Sequence, residues 1–443
     1  MTDVAASADA GEGRSMAAAA SGKSWMTRLI LALAILVATA VAIDLGMDET
    51  FGWDARVNCA AVDAHSEGLD PYFVKNLKDT KLSYPYLPVT LDAFRPLCAG
   101  GFLVAHYKPI YLVLALLCAL LLPGLGRSGL QDVALRVVFA LGGLLGFEWI
   151  MATGNFAILS GLLTAASLAL LLRPAQSASL APQLAGAAVL GLVTSFKLVF
   201  FPVLAALYFL PQPRRRKLLL IAVAAAMFAL PILVSLVFYP ELSKSWLSAI
   251  FGQIPGQHAP GNEVNPSLLF LSLTLADRVG LAGSKPIVAV LYGLIAIALV
   301  LAPLAIAVWR TVGAQRFFGE AAPLRALDDW LMNHPDAAMR ITVLTMYALY
   351  LCAPRVKEYA FFEVALYAAV LIASLPAATM AAVLTIGVAI PTLASVMGVA
   401  FMGGFGQLTI ALICFWLLLP RQASEEVASR GPIGARPVAG CRG

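Results

Sequence analysis

Residues 214–238 read RRRKLLLIAVAAAMFALPILVSLVF. Four consecutive cations are followed by an uncharged run from Leu218 to Phe238. A helix of roughly 20 apolar residues, rising about 1.5 Å per residue, crosses the roughly 30 Å hydrocarbon core of a bilayer. In lipid the backbone must satisfy its own hydrogen bonds within the segment, so such a run reads as a helix and not as a strand. Lys217–Phe238 is therefore a span, and its basic end belongs on the cytoplasmic face.

The same pattern recurs on both sides of this stretch. Spans are expected at Arg28–Gly46, Pro109–Gly124, Val133–Met151, Phe156–Leu172, Gln183–Phe196, Leu198–Leu210, Pro286–Trp309, Ile341–Ala353, Tyr359–Leu375, Ala377–Ala400 and Phe405–Leu419. With Lys217–Phe238 they make an all-α polytopic membrane protein of about 12 spans. The junction at Phe196, Lys197 and Leu198 also reads as one broken helix, with Lys197 and Pro202 at the break. Ser267–Ala276 reads as a short helix at the interface. Residues 1–26 and 421–443, rich in small and polar residues, read as disordered cytoplasmic tails flanking a transmembrane domain over 27–420. Ala38-Thr39-Ala40 resembles a signal-peptide cleavage site, but the apolar run is long and the preceding tail extended, so the segment reads as an uncleaved anchor.

Composition agrees with this fold class. The chain is 60% hydrophobic and 12% charged, with mean hydropathy +0.86, whereas soluble domains carry about 25% charged residues. With both termini inside, the larger share of the 30 Lys and Arg falls on inner segments. The net charge of +5 thus follows from topology and gives no reason to expect a nucleic-acid partner. The protein is placed in the plasma (inner) membrane, its partners there being membrane lipids. The 6 cysteines and 4 histidines form no metal-ligand spacing, so neither a metal nor a cofactor is expected. Cys118 and Cys414 read as packing residues. Cys59 and Cys98 share the first outer loop, an oxidising setting in a periplasm, and are candidates for a disulfide.

Two outer loops, Met47–Lys108 and Tyr239–Lys285, are long enough to build a site. The inner segment Arg310–Arg340 reads as a solvated amphipathic stretch. No Gly-rich phosphate loop follows a strand. The first outer loop runs through Trp53-Asp54-Ala55-Arg56-Val57-Asn58 and a short amphipathic helix to Gly68-Leu69-Asp70-Pro71-Tyr72. A carboxylate at Asp54, just beyond the first span, lies where a hydroxyl could be deprotonated while a lipid-linked substrate stays in the bilayer. By spacing alone, Asp54 reads first as a helix cap.

These residues resemble glycosyltransferase family 87, membrane enzymes of the GT-C class. The likeness runs through Asp54, the Ala60-Ala61 helix, the Gly68–Tyr72 turn, Gly154-Asn155, Lys197 with Pro202, Asn265-Pro266-Ser267-Leu268, and Pro354 through Tyr359. Two departures stand out: Arg56-Val57-Asn58 replaces an aromatic after the Asp, and Leu198 follows Lys197 where the family has Pro. The resemblance implies a GT-C transmembrane bundle with outer-loop helices and a periplasmic cavity. It implies inverting transfer of a hexose, such as mannose, from a polyprenyl-phosphate sugar to a hydroxyl of a lipid or glycan acceptor. Asp54 is then the catalytic base. Lys197, Arg355, Lys357 and His258 are candidates to bind the donor phosphate, and Arg56, Asn155, Asn265, Tyr359 and Glu148 to bind acceptor or sugar. Lys197 and its companions also read as cations snorkelling to the headgroups, and Glu148 as an intramembrane acid paired with a neighbouring helix. Trp53 and Trp149 are candidates to stack on sugar, or interfacial anchors. The rival reading, a transporter or flippase of a lipid-linked glycan, calls for structural repeats and mid-membrane charges, and no repeat is evident.

Overall fold

The computed structural model describes residues 5–47, 52–125, 129–173, 179–254, 265–313, 323–398 and 405–419, with the backbone alone for 5–24. His258 and the C-terminal tail lie outside the described residues. Among the described residues every regular element is helical. Six helices are long and apolar enough to cross a membrane: Trp25–Gly46, Val89–Leu121, Leu130–Thr153, Arg214–Phe238, Lys285–Val312 and Ala377–Val396. Four shorter apolar helices accompany them, at Ala157–Leu171, Leu180–Phe196, Leu198–Phe209 and Gly406–Leu418. The chain is an all-helical, membrane-integral protein.

Several boundaries have local causes. Helix α1 (Ala5–Gly46) contains the first span, and its helical backbone begins inside the segment read as a tail. After α2 (Trp53–Ser66), helix α3 (Val89–Cys98) is separated from α4 (Phe102–Leu121) by Gly100 and Gly101, with φ of 65° and 70°. That left-handed pair, open to glycine without a Cβ penalty, turns the chain between α3 and α4. A disulfide joins Cys59 of α2 to Cys98 of α3, with Cα atoms 5.2 Å apart. Next come α5 (Leu130–Gly142), α6 (Gly146–Thr153), α7 (Ala157–Leu171) and α8 (Leu180–Phe196). The break expected at Lys197 is present: the residue is extended (φ −138°, ψ 98°), and Leu198–Phe209 continues as a 3₁₀ helix.

The middle of the bundle is the helix Phe361–Ile372, in which every residue is buried. It packs on α5, α6, α7 and the helices Pro335–Leu351 and Gly406–Leu418. Close approach requires small residues on the facing helices, as is usual between membrane helices. A Cβ at Gly146 would lie 2.1 Å from the backbone nitrogen of Phe362, and one at Gly161 would lie 2.3 Å from its ring.

Helix α9 (Arg214–Phe238) connects the two ends of the bundle. At its basic end Lys217, fully buried, pairs with Asp328 at 2.8 Å. Asp328 belongs to the helix Pro323–Asn333, whose Trp330 and Leu331 join Val312, Ala338 and Ile341 in a small core of their own. The stretch read as solvated is therefore partly buried, since its apolar face found a partner. At the far end of α9, Ser235 Oγ accepts from Val89 N–H (3.2 Å) and Ser235 C=O accepts from Ser243 Oγ (2.8 Å). These bonds fix α3 and α10 (Pro240–Ile250) over a cavity remote from Arg214–Arg216.

Candidate active site

The cavity measures about 820 Å³, well within the range of small-molecule sites. Its walls come from α2, the strap Leu82–Leu87, the α6–α7 turn, the Lys197 break, α10 and the loop before Phe361.

Two glycines set the position of Asp54. Helix α2 begins at Gly52 (φ 84°), whose N–H donates to Ala152 C=O at 2.9 Å. Gly154 (φ 67°) ends α6, and a Cβ there would lie 3.0 Å from Ala55 Cβ and 3.2 Å from Gly52 Cα. Tyr111 Oη donates to Gly154 C=O at 3.0 Å. The start of α2 thus lies directly against the α6–α7 turn, which carries Asn155. Asn155 Nδ2 donates to Asp54 Oδ2 at 2.7 Å, while its Oδ1 accepts from Ala157 N–H at 2.8 Å. The second bond fixes which way the amide points, so Asn155 presents a donor to the carboxylate. The N-cap of α2 is Gly52, with no side-chain cap. The capping role considered for Asp54 therefore falls away, and Asp54 sits in the first turn, where the helix dipole favours an anion.

Burial raises the pKa of Asp54 above the ordinary carboxylate range; the hydrogen bond from Asn155, the charge of Lys197, nearby Thr153 and the charge of Lys357 oppose this. Tyr86, on the strap, faces Asp54, Asn155 and Arg355, and burial raises its pKa, so it is a neutral hydroxyl. The strap itself is held by Tyr72 Oη donating to Tyr86 C=O (2.7 Å) and Trp246 Nε1 donating to Pro85 C=O (3.3 Å).

The cations arrive from two other places. Lys197 projects from the break after α8, with Nζ 4.1 Å from the ring centroid of Tyr359, a cation–π distance. Arg355 and Lys357 come from the loop that leads into Phe361–Ile372. That loop is tied down by Ser267 Oγ to Pro354 C=O (2.9 Å), by Tyr292 Oη to Cys352 C=O, and by Gln407 Nε2 to Glu358 C=O (3.0 Å).

Six of the residues singled out in the sequence thus line one cavity: Asp54, Asn155, Lys197, Arg355, Lys357 and Tyr359. Trp53 and Trp149 line it as well. Three others do not. Arg56 is exposed, because two residues along α2 turn a side chain about 200° from Asp54. Glu148 precedes Trp149 on α6 and points elsewhere: its Oε1 accepts from Ser395 Oγ at 2.5 Å, in a small crevice shared with Asp44 and Thr392. It is the acid paired with a neighbouring helix. Asn265 sits behind the wall, where its turn buttresses Pro354 through Ser267. Among the described residues no group of His, Cys, Asp and Glu could hold a metal.

Sequence reasoning passed over Tyr84, Tyr86, Thr153 and Trp246, which line the same space, and Glu363, which lies just beneath it. Glu363 carried a usable signal, since it is an acid within an otherwise apolar segment. The strap tyrosines carried none beyond being aromatic.

The arrangement opposes an enclosed carboxylate, able to take a proton, to three cations able to hold an anion, in an aromatic-walled cavity of a membrane bundle. Fold and site together define a membrane-integral protein whose cavity can carry acid–base chemistry. Residues 86–327, more than half of the chain, match the sequence pattern of glycosyltransferase family 87, and the chain belongs to that family. It is a glycosyltransferase. The matched region contains Asn155 and Lys197, while Asp54 and the 354–359 loop flank it. No curated protein and no solved structure matches the chain.

Proposed function

We propose that the enzyme transfers a hexose from a polyprenyl-phosphate sugar to a hydroxyl of a lipid or glycan acceptor, inverting the anomeric centre, on the face away from the cytoplasm. The observation that carries the reading is that Asp54, held by Asn155 at 2.7 Å, shares one cavity with Lys197, Arg355 and Lys357. Asp54 takes the proton of the acceptor hydroxyl as its oxygen bonds to the anomeric carbon. The bond from that carbon to the phosphate oxygen breaks, and its electron pair leaves with the phosphate. The growing charge on polyprenyl phosphate is what the three cations stabilise. What supports this side is the Arg214–Arg216 end of α9, remote from the cavity, because basic ends tend to stay cytoplasmic. On this reading the chain sits in the plasma membrane with both termini inside.

The purified chain, incubated with labelled polyprenyl-phosphate sugars and total membrane lipid, should give a labelled lipid or glycan product. Asp54→Asn keeps the shape and removes the basicity, and should lower transfer at least about a hundredfold. Near-normal turnover by that variant would reject the base assignment; no transfer by the unaltered chain would reject the donor.

A further inference from the structure

Lys197 faces a second, much smaller space on its other side. This crevice, about 10 Å³, is lined by Lys197, Ser160, Thr194, Tyr350, Glu363 and Tyr367. Glu363 is 6% exposed, on the helix that forms the middle of the bundle. Its position is fixed by its neighbour, because Phe362 is wedged against Gly146 and Gly161. Lys197 is the principal charge acting on Glu363, and Glu363 is the principal charge acting on Lys197, ahead of Asp54. The hydroxyls of Thr164 and Tyr350 face the same carboxylate.

We infer that Glu363 is a positioning residue, whose carboxylate holds the Lys197 ammonium, from below the cavity floor, where it meets the donor phosphate. This rests on the reading of Lys197 as a phosphate ligand. A lysine on a flexible four-carbon stem can snorkel away from an apolar wall. Here two groups oppose it: the Tyr359 ring flanks Nζ, and the charge of Glu363 acts on the ammonium from the crevice both residues line. Breaking a buried pair by removing one partner leaves an uncompensated charge, so the lysine without Glu363 should leave its place or lose its proton. Either way the phosphate loses its ligand. Glu363 touches no substrate, which separates its role from that of Asp54.

The test uses the full chain in lipid nanodiscs and labelled farnesyl monophosphate as the probe. Binding should weaken about tenfold or more in Lys197→Met and to a similar extent in Glu363→Gln, the scale of one hydrogen bond to a charged group. The double variant should bind no more weakly than Lys197→Met alone, because Glu363 acts through that lysine. Glu363→Asp should recover part of the loss, and in transfer assays Glu363→Gln should raise the donor KM more than it lowers kcat. Thermal unfolding of each variant separates lost binding from lost folding, and Glu363→Asp serves if Glu363→Gln does not fold. The inference is overturned if Glu363→Gln binds like the unaltered chain, or if the two losses multiply in the double variant. Weakened binding in Lys197→Met beside normal binding in Glu363→Gln would overturn this inference and leave the proposed function standing. If Lys197→Met binds normally, the phosphate reading fails and this inference fails with it.

Discussion

Asp54 is held in a state that costs stability. Burial raises its pKa, and Asn155, Lys197, Thr153 and Lys357 only partly offset this. The folded pKa lies above the unfolded value of about 3.9, so the folded chain binds this proton more tightly. The contribution of Asp54 to stability then improves as pH falls through the raised pKa, and is poorest above it. Asp54→Asn should therefore raise the thermal midpoint at pH 7.5 while abolishing transfer, and the gain should shrink as pH is lowered. The acidic limb of kcat/KM should fall above the range of an ordinary aspartate, because the base works only when deprotonated. Scanning calorimetry or a fluorescence melt checks the first, and a pH–rate profile the second. Lys197 was legible in the sequence because a charge in an apolar run needs an explanation wherever the helix faces. Asp54 was singled out among the loop acids by its place before the Ala60-Ala61 helix and the Gly68–Tyr72 turn, where the family resemblance puts it. Glu148 was misread because facing is what a linear sequence omits: it and Trp149 are adjacent, yet about 100° apart around α6, and only the tryptophan reaches the cavity.

At the scale of elements, α2 is held at its start and at its middle. Its start lies against Gly154, and the Cys59–Cys98 disulfide ties its middle to α3. Gly154→Ala demands a left-handed side chain at φ 67° and pushes on Ala55. It should displace Asp54 and lower transfer about tenfold to a hundredfold, the cost of a shift near one ångström, with expression maintained. Replacing both bonded cysteines by serine should lower stability by about 2–4 kcal/mol, measured as unfolding in detergent with and without reductant. The helices themselves were readable from apolar run length. The strap Leu82–Leu87 was not, since its order comes from Tyr72, Thr90 and Trp246, each supplied from outside it.

For the whole molecule, orientation is the decisive question, and its proposed answer comes from the cations gathered at one end of α9. A cysteine at Lys81, exposed beside the strap, should react with a membrane-impermeant maleimide in intact cells. One at Arg215, exposed at the basic end of α9, should react only after permeabilisation. The reverse pattern would turn the cavity toward the cytoplasm and remove the setting proposed for transfer. The membrane class was legible from composition alone. The number of crossings was not, because α6, α8 and the segment after Lys197 are each shorter than about 20 residues, the length of a full span.

The 3₁₀ segment Leu198–Phe209 acts as a ruler. Twelve residues at about 2.0 Å each reach roughly 24 Å, where an α-helix of the same length would reach about 18 Å. Such long 3₁₀ runs are uncommon, and this one sits between the Lys197 break and the turn at Gln212, whose N–H donates to Leu210 C=O at 2.8 Å. Depth in the bilayer is therefore metered in residues. Removing one residue from the segment should draw Lys197 inward by about 2 Å, out of reach of a phosphate anchored at the headgroup level, although no cavity residue has changed.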